Sequence, residues 1–183
     1  PEEKINYNFS DIKLYTIDIE VSSEYGFPNP VDCIEELLLI SIQDFHTKKI
    51  KTFGVKPYNN TDINVEYILC NDEIDLCHKF LEYWESDYPD IVTGWNTSVY
   101  DIPYIVGRIG RILGDKKKKR LSPWGKVHSK ELNMGGRPVI MCELVGISNI
   151  DYLDLYKKFT YTNRESYSLN HISEVELGEA KLD

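Results

Sequence analysis

A chain of 183 residues with 42% hydrophobic and 28% charged side chains carries enough apolar mass for one buried core, which excludes wholesale disorder. No apolar run exceeds four residues, as at Leu37-Leu38-Leu39-Ile40, far short of the ~18 a membrane helix needs, so no membrane partner is expected. Lys+Arg number 21 against 30 Asp+Glu for a net charge of −9, yet residues 108–130 carry 9 basic and 1 acidic side chain while residues 1–107 carry 7 and 20. A basic stretch on an acidic chain calls for a partner, and phosphate is a candidate.

In chain order, Leu14 to Val21 alternates, with Tyr15, Ile17, Ile19 and Val21 on one face and Leu14, Thr16, Asp18 and Glu20 on the other, which predicts a strand. Residues 22–30 hold Gly26, Pro28 and Pro30 and read as a loop. Leu37 to Asp44 reads as a strand buried on both faces, and Lys49 to Val55 as its hairpin partner. Asn71 is expected to cap a helix over 72–87 whose apolar face is Ile74, Cys77, Leu81 and Trp84, ended by Pro89. Ile91 to Gly94 predicts a short strand. Asp101 opens a second helix with Pro103 in its first turn, Ile102, Ile105, Val106, Ile109 and Ile112 on its apolar face, and Gly114 as its C-cap. Residues 122–145, broken by Asn133-Met134-Gly135-Gly136, read as a β-hairpin. Ile150 to Leu155 is a strand or a strand running into a helix, and Ser168 caps a last helix through Leu177. Strands come first and then alternate with helices, so the expected class is α/β with a mixed sheet.

The four cysteines, Cys33, Cys70, Cys77 and Cys142, form no C-x-x-C pair, and the four histidines do not cluster, so a thiolate zinc site is not expected; reduced, buried thiols of a cytosolic protein are. The chemistry-bearing residues are acidic. Asp18 and Glu20, two apart on a strand, project to one face, where two carboxylates repel unless a cation compensates. Hard divalent ions favour such oxygen donors. Asp101 stands at a helix N-terminus just past a buried strand, where it serves either as a cap or as a third ligand at the carboxyl edge of the sheet. Taken singly, each feature also fits a solvated strand edge or an ordinary cap.

Together they resemble the 3′–5′ exonuclease domain of family B DNA polymerases. Tyr15-Thr16-Ile17-Asp18-Ile19-Glu20 matches the D-x-E first motif of the DEDD exonucleases, and Asn96-Thr97-Ser98-Val99-Tyr100-Asp101 matches the second motif, N-x-x-x-[FY]-D. The flanking Thr93-Gly94-Trp95 and Ile102-Pro103-Tyr104-Ile105 are typical of that family, while Arg120 to Lys126 and Asp151 to Phe159 are similar to the replicative polymerases of T-even-type bacteriophages. The likeness runs from Leu14 to Leu169.

The resemblance implies a ribonuclease H-like fold, a mixed central sheet flanked by helices with an inserted β-hairpin at 122–145, in a single exonuclease domain over 1–183 with a lead-in at 1–12. It implies hydrolysis of the 3′-terminal phosphodiester of DNA with two Mg2+ or Mn2+ ions, roughly 3.5–4 Å apart. Asp18, Glu20 and Asp101 would be the catalytic and metal-binding acids: Asp18 shared by both ions, Glu20 on the nucleophile side, Asp101 on the second. The substrate would be a single-stranded or frayed 3′ end. DNA contacts would come from Asn96, Tyr100, Lys116, Lys117, Lys118, Lys119, Arg120 and Arg137, with Arg108 and Arg111 adding to backbone steering, Met134 near the hairpin tip, and Phe27 or Trp95 as further stacking rings. The partners would be the polymerase domains of a parent chain, and the setting the cytoplasm of a bacterial host. The family's third motif, Y-x-x-x-D, is expected after the helix near Ser168, beyond this chain, which therefore reads as a piece of a longer protein with three of four metal acids, weak metal binding and slow hydrolysis. Tyr83 to Asp87 and Tyr7 to Asp11 fit the spacing but stand out of order. The alternative is a non-catalytic ribonuclease H-like module that binds nucleic acid or a protein.

Overall fold

The computed structural model describes residues 8–24 and 26–179; most of the lead-in, with Tyr7, lies outside the described residues. Alternation sets the first strand, β1 (Leu14–Val21), whose Tyr15, Ile17 and Ile19 are buried while Asp18 and Glu20 face solvent. β2 (Leu37–Asp44) runs antiparallel to it with Asp18 opposite Ser41, and β3 (Ile50–Gly54) runs antiparallel to β2. Contrary to the expectation of burial on both faces, β2 alternates from Leu39 to Gln43, with Ile40 and Ile42 buried and Leu39, Ser41 and Gln43 half-buried; Leu37, beyond the register shift opposite Val21, is buried as well. An unexpected strand, β4 (Val65–Leu69), pairs parallel with β3 at the sheet edge. It is short and part-exposed, so it carries neither a continuous apolar run nor a clean alternation.

Helix α1 (Glu73–Ser86) follows, capped by Asp72 rather than Asn71: the Asp72 carboxylate accepts from the Asp75 N–H at 2.8 Å. Its buried face is Glu73, Leu76, Cys77, Phe80, Leu81 and Trp84, and Ile74 points outward. β5 (Ile91–Gly94) lies parallel to β1, and α2 (Asp101–Leu113) packs Ile102, Ile105, Val106 and Ile109 into the same core as α1. Gly114, at φ +83°, ends it. The lysine stretch forms a helical turn, α3 (Asp115–Lys118), continued by a 3-10 turn to Leu121. β6 (Val127–Met134) and β7 (Arg137–Leu144) form the expected hairpin as a separate two-stranded sheet. Both turn residues, Gly135 and Gly136, have positive φ, which two-residue hairpin turns demand. β8 (Ser148–Asp151) pairs parallel with β5 and runs straight into α4 (Tyr152–Phe159), and α5 (Leu169–Leu177) starts from the Ser168 cap.

The main sheet therefore has the order β4-β3-β2-β1-β5-β8 with β2 alone antiparallel to its neighbours. This is the mixed α/β sheet flanked by helices expected for a ribonuclease H-like fold. Three of the cysteines are buried and Cys142 is half-buried; all four are free thiols.

A buried ion pair ties the two core helices together. Arg108 of α2 donates to Glu73 of α1 at 2.5 and 2.7 Å, and its other nitrogen reaches the carbonyls of Cys33 and Ile34. Glu73 also accepts the N–H of Leu37. Arg108 is 6% exposed, so its expected part in DNA steering is corrected: the guanidinium braces the chain between β1 and β2. Glu73→Ala should cost about 3–5 kcal/mol in urea denaturation because it strands a buried cation. Glu66→Ala, which breaks the exposed pair with Lys51, should cost less than about 1 kcal/mol; equal losses would contradict the bracing role.

Candidate active site

Three elements bring the acids to the carboxyl end of the parallel strands. β1 carries Asp18 and Glu20 on its outer face. β5, its parallel neighbour, pairs Ile91–Thr93 with Leu14–Thr16 and stops at Gly94, where a Cβ would come within 2.6 Å of the Ile17 carbonyl oxygen and of the Thr97 methyl group. Beyond Gly94 the N–H of Ile19 has no strand to pair with. It donates instead to Oδ1 of Asp101, the first residue of α2, at 3.2 Å. That bond fixes Asp101 against the middle of β1.

Asp101 is 4% exposed. Burial, and next the charge of Asp18, push its carboxyl up to about 7, against the pull of N–H bonds from its own backbone and from Ile19; Asp151 adds a smaller repulsion. Tyr100 stands beside it, its ring 5.8 Å from Phe27 and 5.9 Å from Tyr104. Burial, then the carboxylates of Asp101 and Glu20, raise its phenol to about 12, so the hydroxyl stays protonated and able to donate. Asp18 and Asp101 thus feel each other directly, and Glu20 and Asp101 both act on Tyr100. Among the described residues, no three His, Cys, Asp or Glu side chains are gathered closely enough to enclose an ion. The donors are nonetheless all carboxylate oxygens, one of them buried beside a like charge, which is the electrostatic setting a hard divalent cation relieves.

The loop between β5 and α2 is held from its other side. The Asp151 carboxylate accepts the N–H groups of Asn96, Ser98 and Leu153, each at 2.9 Å, and Asn149 takes the Thr97 hydroxyl at 3.1 Å. The sequence contains a trace of this, an aspartate directly before a helix, but nothing in it shows that the same side chain reaches back 50 residues. Trp95, read as a stacking ring, is engaged otherwise. Its indole N–H donates to the Tyr167 carbonyl at 3.1 Å and its ring lies against Tyr152 and Tyr156, fastening the segment before α5 to this loop. Phe27, 87% exposed, is the aromatic that stands open beside Tyr100.

Residues 1–172 match the family described as DNA polymerase family B, exonuclease domain. The chain belongs to this family. It is 36% identical over 206 residues to the DNA-directed DNA polymerase of Escherichia phage RB69, covering 98% of this chain and 23% of that protein. It is 43% identical over 119 residues to the DNA-directed DNA polymerase of Enterobacteria phage T4, covering 64% of this chain and 13% of that one. A DNA polymerase of Paramecium bursaria Chlorella virus NY2A is 30% identical over 186 residues, with 91% and 20% covered. The chain spans less than a quarter of the length of these relatives.

Within this exonuclease domain the basic residues divide. Arg120 forms a two-point ion pair with Glu85 and is half-buried, and Lys118 pairs with Asp115. Lys116, Lys117, Lys119 and Arg111 complete a charged surface at the C-terminal end of α2, roughly 18 Å along the helix from Asp101. Arg137 and Met134 stand exposed beside the hairpin turn, and Asn96 sits in the loop with φ +67°. Of the two Y-x-x-x-D spacings, Tyr83 to Asp87 lies at the end of α1 and beyond, with Asp87 engaged by Lys13 and the Tyr15 hydroxyl. Among the described residues, no helix is long and apolar enough to cross a membrane.

The Asp101 carboxyl has a definite pH signature. Its folded value, about 7, lies above the ordinary 3.8, so the native state holds a proton that the unfolded chain has lost. Stability of the metal-free chain from this group is therefore highest below pH 4 and falls as pH rises towards 7, by on the order of a few kcal/mol. Asp101→Asn removes that slope. In EDTA at pH 8 the variant should be more stable than the parent to urea, and the advantage should vanish by pH 4. A variant less stable than the parent at pH 8 would contradict the buried, repelled carboxylate.

Proposed function

We propose that this chain is a divalent-cation-dependent 3′–5′ exonuclease module that hydrolyses the terminal phosphodiester of single-stranded or frayed DNA, the proofreading part of a replicative polymerase. The observation that carries it is the buried Asp101, bonded to the Ile19 N–H and repelled by Asp18, next to the exposed acids of β1. Asp18, Glu20 and Asp101 would hold Mg2+ or Mn2+. Bound there, the ions would acidify the attacking water and neutralise charge on the scissile phosphate.

The chain's own residues would do the rest. Asp101 fixes one ligand position through a backbone bond that does not depend on a flexible partner. Tyr100, a protonated phenol at the edge of the acids, would donate to a phosphate or sugar oxygen of the terminal nucleotide. Phe27 offers an open ring beside it on which an unpaired base would stack, a contact worth about 1–3 kcal/mol per base and indifferent to sequence. Asn96 and Arg137 would touch the strand nearer the site. Lys116, Lys117, Lys118 and Lys119, a helix length away, would steer the DNA backbone rather than grip the reacting end; Arg120 keeps its charge largely for Glu85. The parent polymerase domains would be the partners, and the host cytoplasm the setting.

Turnover is to be read under single-turnover conditions in Mn2+, with a 5′-labelled single-stranded oligonucleotide. Products shortened one nucleotide at a time from the 3′ end are expected, and Asp18→Ala should slow the reaction by about 100-fold or more while leaving the fold intact. Equal rates for parent and variant would overturn the metal role. DNA binding without any cation-dependent cleavage would favour the non-catalytic module.

A further inference from the structure

Asp151 is not one of the acids matched by either motif, and it is spent in an unusual way. It is the last residue of β8, 6% exposed, and both its oxygens accept backbone N–H groups: Oδ1 those of Asn96 and Leu153, Oδ2 that of Ser98. Leu153 belongs to the helix that Asp151 caps. Asn96 and Ser98 belong to a loop some 55 residues earlier, and their N–H groups point at a carboxylate because the loop turns sharply there, with Asn96 in the left-handed region at φ +67°. Asparagine is among the few non-glycine residues that adopt that conformation readily, so the sequence itself permits the turn. The same strand adds Asn149, which accepts from the Thr97 hydroxyl and donates to the Ser98 hydroxyl.

What the loop delivers is Asp101. Tyr100 N–H closes the turn on the Asn96 carbonyl at 3.1 Å, and Ile102 N–H bonds the Thr97 carbonyl at 3.1 Å, so the placement of residues 96–98 passes directly to the first turn of α2. From there Asp101 meets the Ile19 N–H. We propose that Asp151 is a positioning residue for Asp101, its buried carboxylate holding the β5–α2 loop in the turn that seats Asp101 against β1. This rests on the proposed function for its catalytic meaning. The seating of Asp101 stands apart from it and is tested separately.

The test compares Asp151→Asn, Asp151→Glu and a control, Cys77→Ala, which opens a cavity in α1 without touching the loop. Amide hydrogen exchange is followed by NMR on the metal-free 183-residue chain. In Asp151→Asn, exchange at Asn96, Ser98 and also Ile19 should rise about tenfold over what the global loss of stability accounts for, since each loses or weakens an acceptor. In Cys77→Ala those three amides should follow global stability alone. Asp151→Glu, which keeps the charge and displaces the oxygens, should show the same pattern to a smaller degree, and it decides the matter if Asp151→Asn does not fold. Mn2+ affinity, read from the free-ion EPR signal, should fall about tenfold in Asp151→Asn. Faster exchange at Asn96 and Ser98 with Ile19 unchanged would overturn the proposal, because the loop contact would then not reach Asp101. So would an Asp151→Asn pattern matching the control. If the parent chain binds no Mn2+, the nuclease reading fails while the Ile19 amide still decides the role of Asp151.

Discussion

One carboxylate taken out of water beside another sets the terms for the rest of this molecule. Asp101 has 4% of its surface exposed and feels the like charges of Asp18 and, more weakly, Asp151, while backbone N–H groups bond its carboxylate. A polypeptide bears such a cost only where its surroundings hold the group in place. The holding begins with a mismatch of strand lengths. β5 stops at Gly94, so β1 runs on past it and presents the Ile19 N–H without a strand partner, and Asp101 fills that vacancy in the ladder. An edge defect in the sheet thereby becomes the seat of the acid.

The other charged groups are sorted by the same logic of compensation. Glu73 and Arg108 are fully paired inside the core, Glu85 and Arg120 pair at its margin, and Asp151 is satisfied by three N–H groups. Each of these finds its partners within the fold, the ion pairs by opposite charge and Asp151 by hydrogen bonds, and so builds structure. The acids at the carboxyl end of β1 are the place where negative charge accumulates around a buried group, which is why the candidate chemistry sits there and not among the more numerous acids elsewhere. The lysines of α3 stand at the opposite end of α2, and a nucleic acid reaching both would lie along that helix.

Much of this was legible in the chain itself. The alternation of 14–21, the helical spacing of Ile102 to Ile109, the glycine pair of the hairpin and the Ser168 cap each express a local rule, and each appears where the rule puts it. The two acid motifs were legible as motifs. What escaped was non-local. Arg108 looks like one more member of a basic stretch until α1 places Glu73 in front of it, and Trp95 looks like a stacking ring until the segment near Tyr167 folds over it. β4 is hidden because an exposed edge strand needs little apolar signal, and Asn71 and Asp72 are hard to tell apart because adjacent capping residues differ only in which one the chain leaves extended. In the sequence Asp151 reads as part of a strand entering a helix; its second task depends on a loop that the parallel pairing of β5 with β8 brings within reach.

The central claim, that Asp18, Glu20 and Asp101 form one divalent-ion site, is open to a direct measurement. Crystals of the chain soaked with Mn2+ and thymidine monophosphate, with data collected at the manganese edge, locate the ion without recourse to activity. Anomalous density among the three carboxylates, with the nucleotide phosphate beside it, is expected. Density confined to other acids, or none at saturating Mn2+ above pH 7, would contradict the site.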